Sequence, residues 1–279
     1  MKKRIIAVIL AVVMIAGTVS AFAACTPSEL IGFDVDLAKA VAEELGVKVE
    51  FQLISWDAKE TELESKSIDL IWNGLTITAE REANMQISTP YLNNKQVAVV
   101  KKSNLSKYAT AESMKNATVT FELGSAGEDV AIEQGFSNTV GASSQMMALT
   151  DVLSGSSDVV ILDSVLANFY CNADTKFSDL AIVPDLVFVE EKYGIAARKG
   201  DLGTIDKINT ALATLQSNGK LAEIAKVYGL ESELCDVSYT SVWDTLSDEE
   251  KSGWEYLANK GTIVIGYTLY APIAYKSEA

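Results

Sequence analysis

The chain has 279 residues, with 23 basic against 38 acidic side chains, a formal net charge of −15 and no histidine. So acidic a chain repels nucleic acid and anionic lipid, and neither is an expected partner. The missing histidine excludes Ser-His-Asp and Cys-His catalysis and histidine metal sites, and Cys25, Cys171 and Cys235 fit no metal spacing, so no metal or cofactor is expected.

Residues 1–24 carry the pattern of an export signal: Lys2, Lys3 and Arg4, then the apolar run Ile5–Ala16, then the small residues of "AFAAC". The run is short for a membrane-spanning helix. "FAAC" is similar to a bacterial lipobox, in which Cys25 is acylated and becomes the mature N-terminus; Phe22 departs from that pattern, and simple cleavage within "AFAA" stays open. Removing three basic residues leaves 20 against 38, a charge of −18. In an exported protein Cys171 and Cys235 could form a disulfide or stand as two free thiols. Roughly 250 mature residues suffice for one large domain or two lobes.

"ELIGFDVDLAKAVAEELGVKVEFQLI" predicts a strand end, a helix and a strand: Leu37, Val41 and Leu45 recur at helical spacing, Asp34 and Asp36 suit the helix start and Gly46 its stop. A polar helix in "ETELESKS", a buried strand in "IDLIWNGLTI" and a strand in "NKQVAVVKKS" follow. From about residue 102 the pattern restarts, with "ATVTFELGS" a strand, "AGEDVAIEQG" and "MMALTDVLSG" helices, "SDVVILDS" a strand and "VLANFYC" a helix. "LAIVPDLVFVEEKYGIAAR" predicts two further strands, and "DKINTALATLQSNGKLAEIAKVYG" a helical pair broken at Asn218-Gly219. This β-α alternation predicts two α/β units joined by extended crossovers near Val97–Lys102 and Val189–Ala197. Residues 231–256 form a polar linker and a docking helix with a capping box from Ser247 to Glu250, one face of it carrying Trp254 and Leu257. The apolar, β-branched "TIVIGYT" after Gly261 predicts a buried strand, followed by the aromatic turn "YAPIAY".

At "IGFDVDLAKAVAEELGVKVEF", "IDLIWNGLTITAER" and "ISTPYL" the sequence resembles the polar amino acid-binding proteins of ABC importers, family 3 of the extracytoplasmic solute-binding proteins, from residue 29 to about 230. The resemblance implies an α/β fold of the type II periplasmic-binding kind. Lobe 1 would comprise residues 28–101 and 191–279, and lobe 2 residues 102–190. In that family a strand and aromatic turn precede "LIGFDVDLAKAV"; here they stand at 261–279, so the chain resembles a circular permutation cut in the loop between the first two strands. A hairpin tip is where such a cut costs least. A truncated tandem copy or a fusion fragment is the rival. The implied partners are an amino acid, an ABC permease and, through a lipid anchor alone, the outer face of a bacterial membrane. The chain would be a monomer, with a strand-swapped dimer left open by the long linker.

A free amino acid brings a carboxylate and an ammonium, and burying either without partners is costly. The resemblance assigns Arg81 of "GLTITAER" to the α-carboxylate, which a guanidinium can grip with two parallel bonds; an exposed helix arginine is the bland alternative. It adds the Thr76 hydroxyl and the Gly74 carbonyl, while Thr78 caps the helix at Ala79. Ser125 and Ala126, after Gly124, lie at a strand-to-helix turn whose N–H groups can face a carboxylate. Asp163, at the mouth of strand "DVVILD", would pair the ammonium or else cap the next helix. Trp56 and Tyr270 match positions that sandwich the ligand; Tyr267 and Trp72 read as core, and Glu122 and Asp57 as exposed unless they read a cationic side chain. The expected function is binding and delivery, not catalysis. A cyclohexadienyl dehydratase-like enzyme and a ligand-sensing subunit are the alternatives, although no carboxylate pair in a catalytic arrangement is evident.

Overall fold

A computed structural model describes residues 29–171 and 175–277; the export signal and Cys25 lie outside the described residues. Short β1 (Leu30–Ile31) leads into α1 (Phe33–Leu45), β2 (Lys48–Leu53), α2 (Lys59–Glu64), β3 (Leu70–Thr76), α3 (Ala79–Asn84) and β4 (Met85–Ile87). Strand β5 (Leu92–Lys101) then carries the chain into a second unit, β6 (Val119–Glu122), α4 (Ala126–Glu133), β7 (Thr139–Ala142), α5 (Gln145–Ser154), β8 (Val159–Asp163) and α6 (Ser164–Cys171). Strand β9 (Leu180–Arg198) brings it back to α7 (Leu202–Ser217), α8 (Lys220–Tyr228), α9 (Asp248–Lys260), β10 (Thr262–Tyr267) and β11 (Tyr275–Lys276). The strands run in the order β2-β10-β3-β9-β5-β8-β6-β7, with β4 against β9. Two α/β lobes thus share two long crossing strands, the type II fold implied by the resemblance.

The local signals act as expected. Leu37 and Val41 face the core from α1, which stops at Gly46 in the left-handed region (φ +69°). Ser247 and Glu250 close the capping box of α9, whose Trp254 and Leu257 are buried. Strand β10 lies parallel to both neighbours, in register with β2 from Thr262 opposite Lys48 to Tyr267 opposite Leu53, and with β3 at Ile265 opposite Leu70. Ile263 and Ile265 enter the main core from this strand, so a slip of one residue would turn them away from it. Strands β1 and β11 pair antiparallel, Leu30 opposite Lys276, and the Ser277 N–H donates to the Glu29 carbonyl (2.9 Å). Residues near the two ends of the described chain therefore meet as a hairpin.

One expectation needs correction. Residues 180–198 form a single strand, not two. The register against β5 jumps from Val99 opposite Ile182 to Val97 opposite Val187, and the extra residues, with Pro184 and a left-handed Asp185 (φ 57°), form a bulge that leaves the strand continuous. Cys171 and Cys235 are free thiols; burial pushes the Cys171 thiol up to about 11. No described helix is long and apolar enough to cross a membrane.

Candidate functional site

The eight residues singled out above line one narrow cavity: Trp56, Gly74, Thr76, Arg81 and Tyr270 on one side, Ser125, Ala126 and Asp163 on the other. The carboxyl ends of β3, β6, β8 and β10 converge there, as open α/β sheets dictate.

Strand β3 is buried along its whole length and turns at Gly74, where φ is +66°. A Cβ on Gly74 would lie 2.8 Å from the Tyr270 ring, so glycine allows both the turn and the aromatic wall. The Gly74 N–H and the Tyr91 hydroxyl both donate to Asp34 Oδ2 at 2.8 Å, and burial pushes the Asp34 carboxyl up to about 7. Asp34 thus holds the turn from inside the lobe. Arg81 follows the Thr78 cap, whose hydroxyl accepts the Arg81 N–H (3.2 Å). The guanidinium is buried; Nη1 donates to the Thr76 carbonyl (2.8 Å) and Nη2 crosses to the Gly124 carbonyl of the other lobe (3.2 Å). The same carbonyl accepts Lys59 Nζ at 2.9 Å. Lys59 also donates to the Trp56 carbonyl (3.3 Å), and burial, then the Arg81 charge, lowers it to about 8. Two cations of the first α/β unit therefore donate to one carbonyl of the second.

The opposite wall is acidic. Asp163 accepts the Tyr193 hydroxyl (2.8 Å), Gln96 Nε2 (2.9 Å) and the amides of Asn94 and Gln145. Asn94 and Gln96 also donate to Glu191, which in addition accepts the Thr76 hydroxyl (2.9 Å). The two carboxyls thus share donors. Burial raises Asp163, and it pushes Glu191 up to about 8 with the neighbouring Asp163 charge adding to the effect. Asp163 does not cap α6; the Asn94 side-chain oxygen accepts the Val165 N–H instead (3.3 Å). The Tyr193 proton lies toward Asp163, so the Tyr270 hydroxyl, 2.6 Å away, donates to the Tyr193 oxygen.

The turn at Gly124 differs from the expected cradle. The Ser125 hydroxyl caps α4, accepting the N–H groups of Gly127 (3.1 Å) and Glu128 (3.4 Å). The Gly124 N–H donates to Glu128 (2.7 Å) and the Ser125 N–H to the Glu122 carbonyl (3.2 Å), so both are already committed. Glu122 is not exposed: it is 4% accessible and lines the cavity, whereas Asp57 is exposed and accepts the Ser55 hydroxyl (2.6 Å). Asn73, Gln145 and Thr268 also line the cavity, with Asn73 Nδ2 donating to Thr268 Oγ1 (3.0 Å) and so tying β3 to the turn after β10. Sequence reasoning missed Asn94 and Gln96: their alternation in "NNKQV" puts them on one strand face, and only the structure shows that this face is buried. Asp163 and Glu191, far apart in sequence, meet through the crossing strands and share the amide donors Asn94 and Gln96.

Residues 12–231 match the bacterial extracellular solute-binding proteins, family 3. The chain is 31% identical over 202 residues to a probable histidine-binding protein of Neisseria gonorrhoeae, covering 71% of this chain and 74% of that one. It is 31% identical over 201 residues to the arginine-binding extracellular protein ArtP of Bacillus subtilis, covering 71% and 77%. Among solved structures it resembles an ancestral amino acid-binding protein described as a precursor of cyclohexadienyl dehydratase, with a TM-score of 0.65, 32% identity, and 70% and 84% of the two chains covered.

Proposed function

We propose that this chain, which belongs to the bacterial extracellular solute-binding proteins of family 3, captures a free polar amino acid between its lobes and delivers it to an ABC importer. The observation that carries the reading is the pair of oppositely charged walls: a buried Arg81 suited to a carboxylate faces a buried Asp163 suited to an ammonium across one cavity. Each charged end of a free amino acid would find its partner on a different lobe, so capture and closure are one event. A thermal-shift screen of the proteinogenic amino acids tests it. Stabilisation by about 2.7 kcal/mol is expected at a hundredfold the dissociation constant, and no response to any amino acid would refute it.

Residues 28–101 with 191–279 serve as lobe 1 and 102–190 as lobe 2. Residues 1–24 direct export, and acylation of Cys25 anchors the mature chain to the outer face of the membrane. The arrangement is a circular permutation of the family's order. Two features support it: β10 lies between β2 and β3, and the β1–β11 hairpin brings Glu29 and Ser277 together. Since β10 pairs within its own chain, a monomer is the proposed state. Mass measurement of the mature protein tests acylation, and its solution mass tests the monomer.

A second reading, a dehydratase, draws on the buried acids: Glu191 and Glu122, both pushed up to about 8, could hold a proton for transfer at neutral pH. Turnover of a cyclohexadienyl substrate, followed by its absorbance, distinguishes the two.

A further inference from the structure

We propose that Glu122 is a specificity-determining residue of the cavity, and that the ligand it selects carries a positive charge on its side chain, as a guanidinium or an alkylammonium group. The proposal rests on the reading that a free amino acid occupies this cavity, and it names the class of that amino acid.

Glu122 ends β6 and lines the cavity, yet its Oε1 atom is buried without a hydrogen-bond partner. A buried carboxyl oxygen without a donor is uncommon and needs an explanation. The other charged groups of the cavity are already matched. Arg81 and Asp163 suit the two charged ends of any amino acid. Glu191 is not among the residues that line this cavity, and its Oε1 already accepts from Thr76, Asn94 and Gln96. Lys59 feels the Glu122 charge, but its ammonium donates to the carbonyls of Trp56 and Gly124, and the ion pairs of the described residues do not include Glu122. What remains is one acidic group aimed into the cavity with no cation of the protein to answer it.

A neutral amide side chain could offer Oε1 a hydrogen bond, so charge must decide between the two. Glu122 is faced by Asp163, Lys59, Gln145 and Asp57; burial first, then the Asp163 charge, pushes it up to about 8. Beside a neutral ligand the carboxyl therefore keeps its proton at neutral pH and competes as a donor. Beside a cation it ionises and accepts, and the charge-assisted bond favours the cationic ligand over a neutral one of the same shape.

The experiment is calorimetry on the full-length mature protein near neutral pH, with arginine and lysine compared with citrulline and glutamine, on the wild type and on Glu122→Gln. The better cationic ligand is expected to bind roughly thirtyfold or more tightly than citrulline in the wild type, and the substitution to reduce that ratio about tenfold. Because Glu122→Gln could disturb folding, a second measurement uses the wild type alone: titration in buffers of different ionisation enthalpy should show about one more proton released by the cationic ligand than by citrulline. Citrulline or glutamine binding as tightly as arginine and lysine, an unchanged ratio in the variant, or equal proton release would each overturn the proposal while leaving amino acid capture standing. If no amino acid binds, the reading of the cavity falls and this inference with it.

Discussion

On one side of the cavity, Arg81 in the lining and Lys59 next to it direct their donors at carbonyl oxygens of Thr76, Trp56 and Gly124. Facing them, Asp163 is held by amides and hydroxyls, as is Glu191 beside it outside the cavity lining, and Glu122 has one oxygen without any partner. The difference is one of protonation. A guanidinium keeps its charge in any environment a protein offers. A buried carboxyl can take up a proton, and here burial raises all three. The cationic wall is therefore charged before ligand arrives, and the acidic wall becomes charged when a cation arrives. Binding at the first is set by geometry, and at the second by a proton equilibrium.

The walls also differ in how they are assembled, and the largest expected effect follows from that. The wall that carries Arg81 depends on the turn after β10, because Thr268 accepts from Asn73 and Tyr270 faces Gly74 from there, and β10 lies between β2 and β3. Deleting residues 256–279 would strip both neighbours of a buried partner, a loss greater than the roughly 5–15 kcal/mol by which a domain is stable. The truncated chain is expected to show no cooperative melting. Melting at the full-length temperature with binding intact would show that the cationic wall stands without this segment, and the permutation reading would fail.

The second effect separates the walls by pH. Free carboxyls of Glu122 and Glu191 titrate at 4.5 and that of Asp34 at 3.8, whereas in the folded protein burial raises them to about 8, 8 and 7. Between these limits the folded state holds more protons than the unfolded one, so stability without ligand falls as pH rises from about 5 to 8, at up to ~1.4 kcal/mol per pH unit for each group. Lys59, lowered to about 8, titrates at the upper edge of this window and opposes the trend only there. Melting temperatures across the window are expected to decline, and less steeply in Glu122→Gln. A flat or rising profile would mean that the acidic wall is charged throughout, and the contrast between the walls would vanish.

The parts of the site legible in sequence are those that strand ends and helix starts place together. Asp163 closes an apolar strand, Arg81 follows a capping threonine, and Gly74 interrupts a run that otherwise reads as continuous strand. The family resemblance supplied their roles. Asn94, Gln96, Glu191 and Tyr193 were not legible, because polar residues alternating along a strand read as a solvent face. In this fold the crossing strands run through the interior between two lobes, so that face turns inward. Glu122 suffers from the same ambiguity, since burial of a lone glutamate depends on what the opposite lobe covers. The position of β10 also went beyond pattern: an apolar, β-branched run shows that a strand is buried but does not name its neighbours. Pro184 likewise reads as a strand break, and only the register against β5 shows a bulge.

A third test weighs the walls against each other. Arg81→Lys keeps the charge but loses the fork, and Asp163→Asn keeps the shape but loses the charge. Each is expected to weaken amino acid binding by roughly 2–5 kcal/mol while the protein still folds. The melting temperatures should part: Asp163→Asn removes a buried acid and should cost the ligand-free protein little, whereas Arg81→Lys loosens the link to Gly124. Calorimetry giving wild-type affinity for either variant would return that residue to a purely structural role.

The smallest effect tests whether the charges dominate the aromatic wall. The Tyr270 hydroxyl donates to Tyr193, which passes its own proton toward Asp163. Tyr270→Phe keeps the ring against Gly74 and removes only the outer bond of this chain, so Tyr193 still donates to Asp163 while its oxygen loses a donor. A buried hydrogen bond of this kind contributes about 0.5–1.5 kcal/mol, so the variant should melt slightly lower and bind amino acid only a few-fold more weakly. Tyr270→Ala, which also opens the wall, should cost more in affinity. If Tyr270→Phe instead weakened binding as much as Asp163→Asn, measured side by side by calorimetry, the hydroxyl would have to touch the ligand. The acidic wall would then extend from Asp163 through Tyr193 to Tyr270 as one polar surface, and its contrast with lobe 1 could no longer be drawn from carboxyls alone.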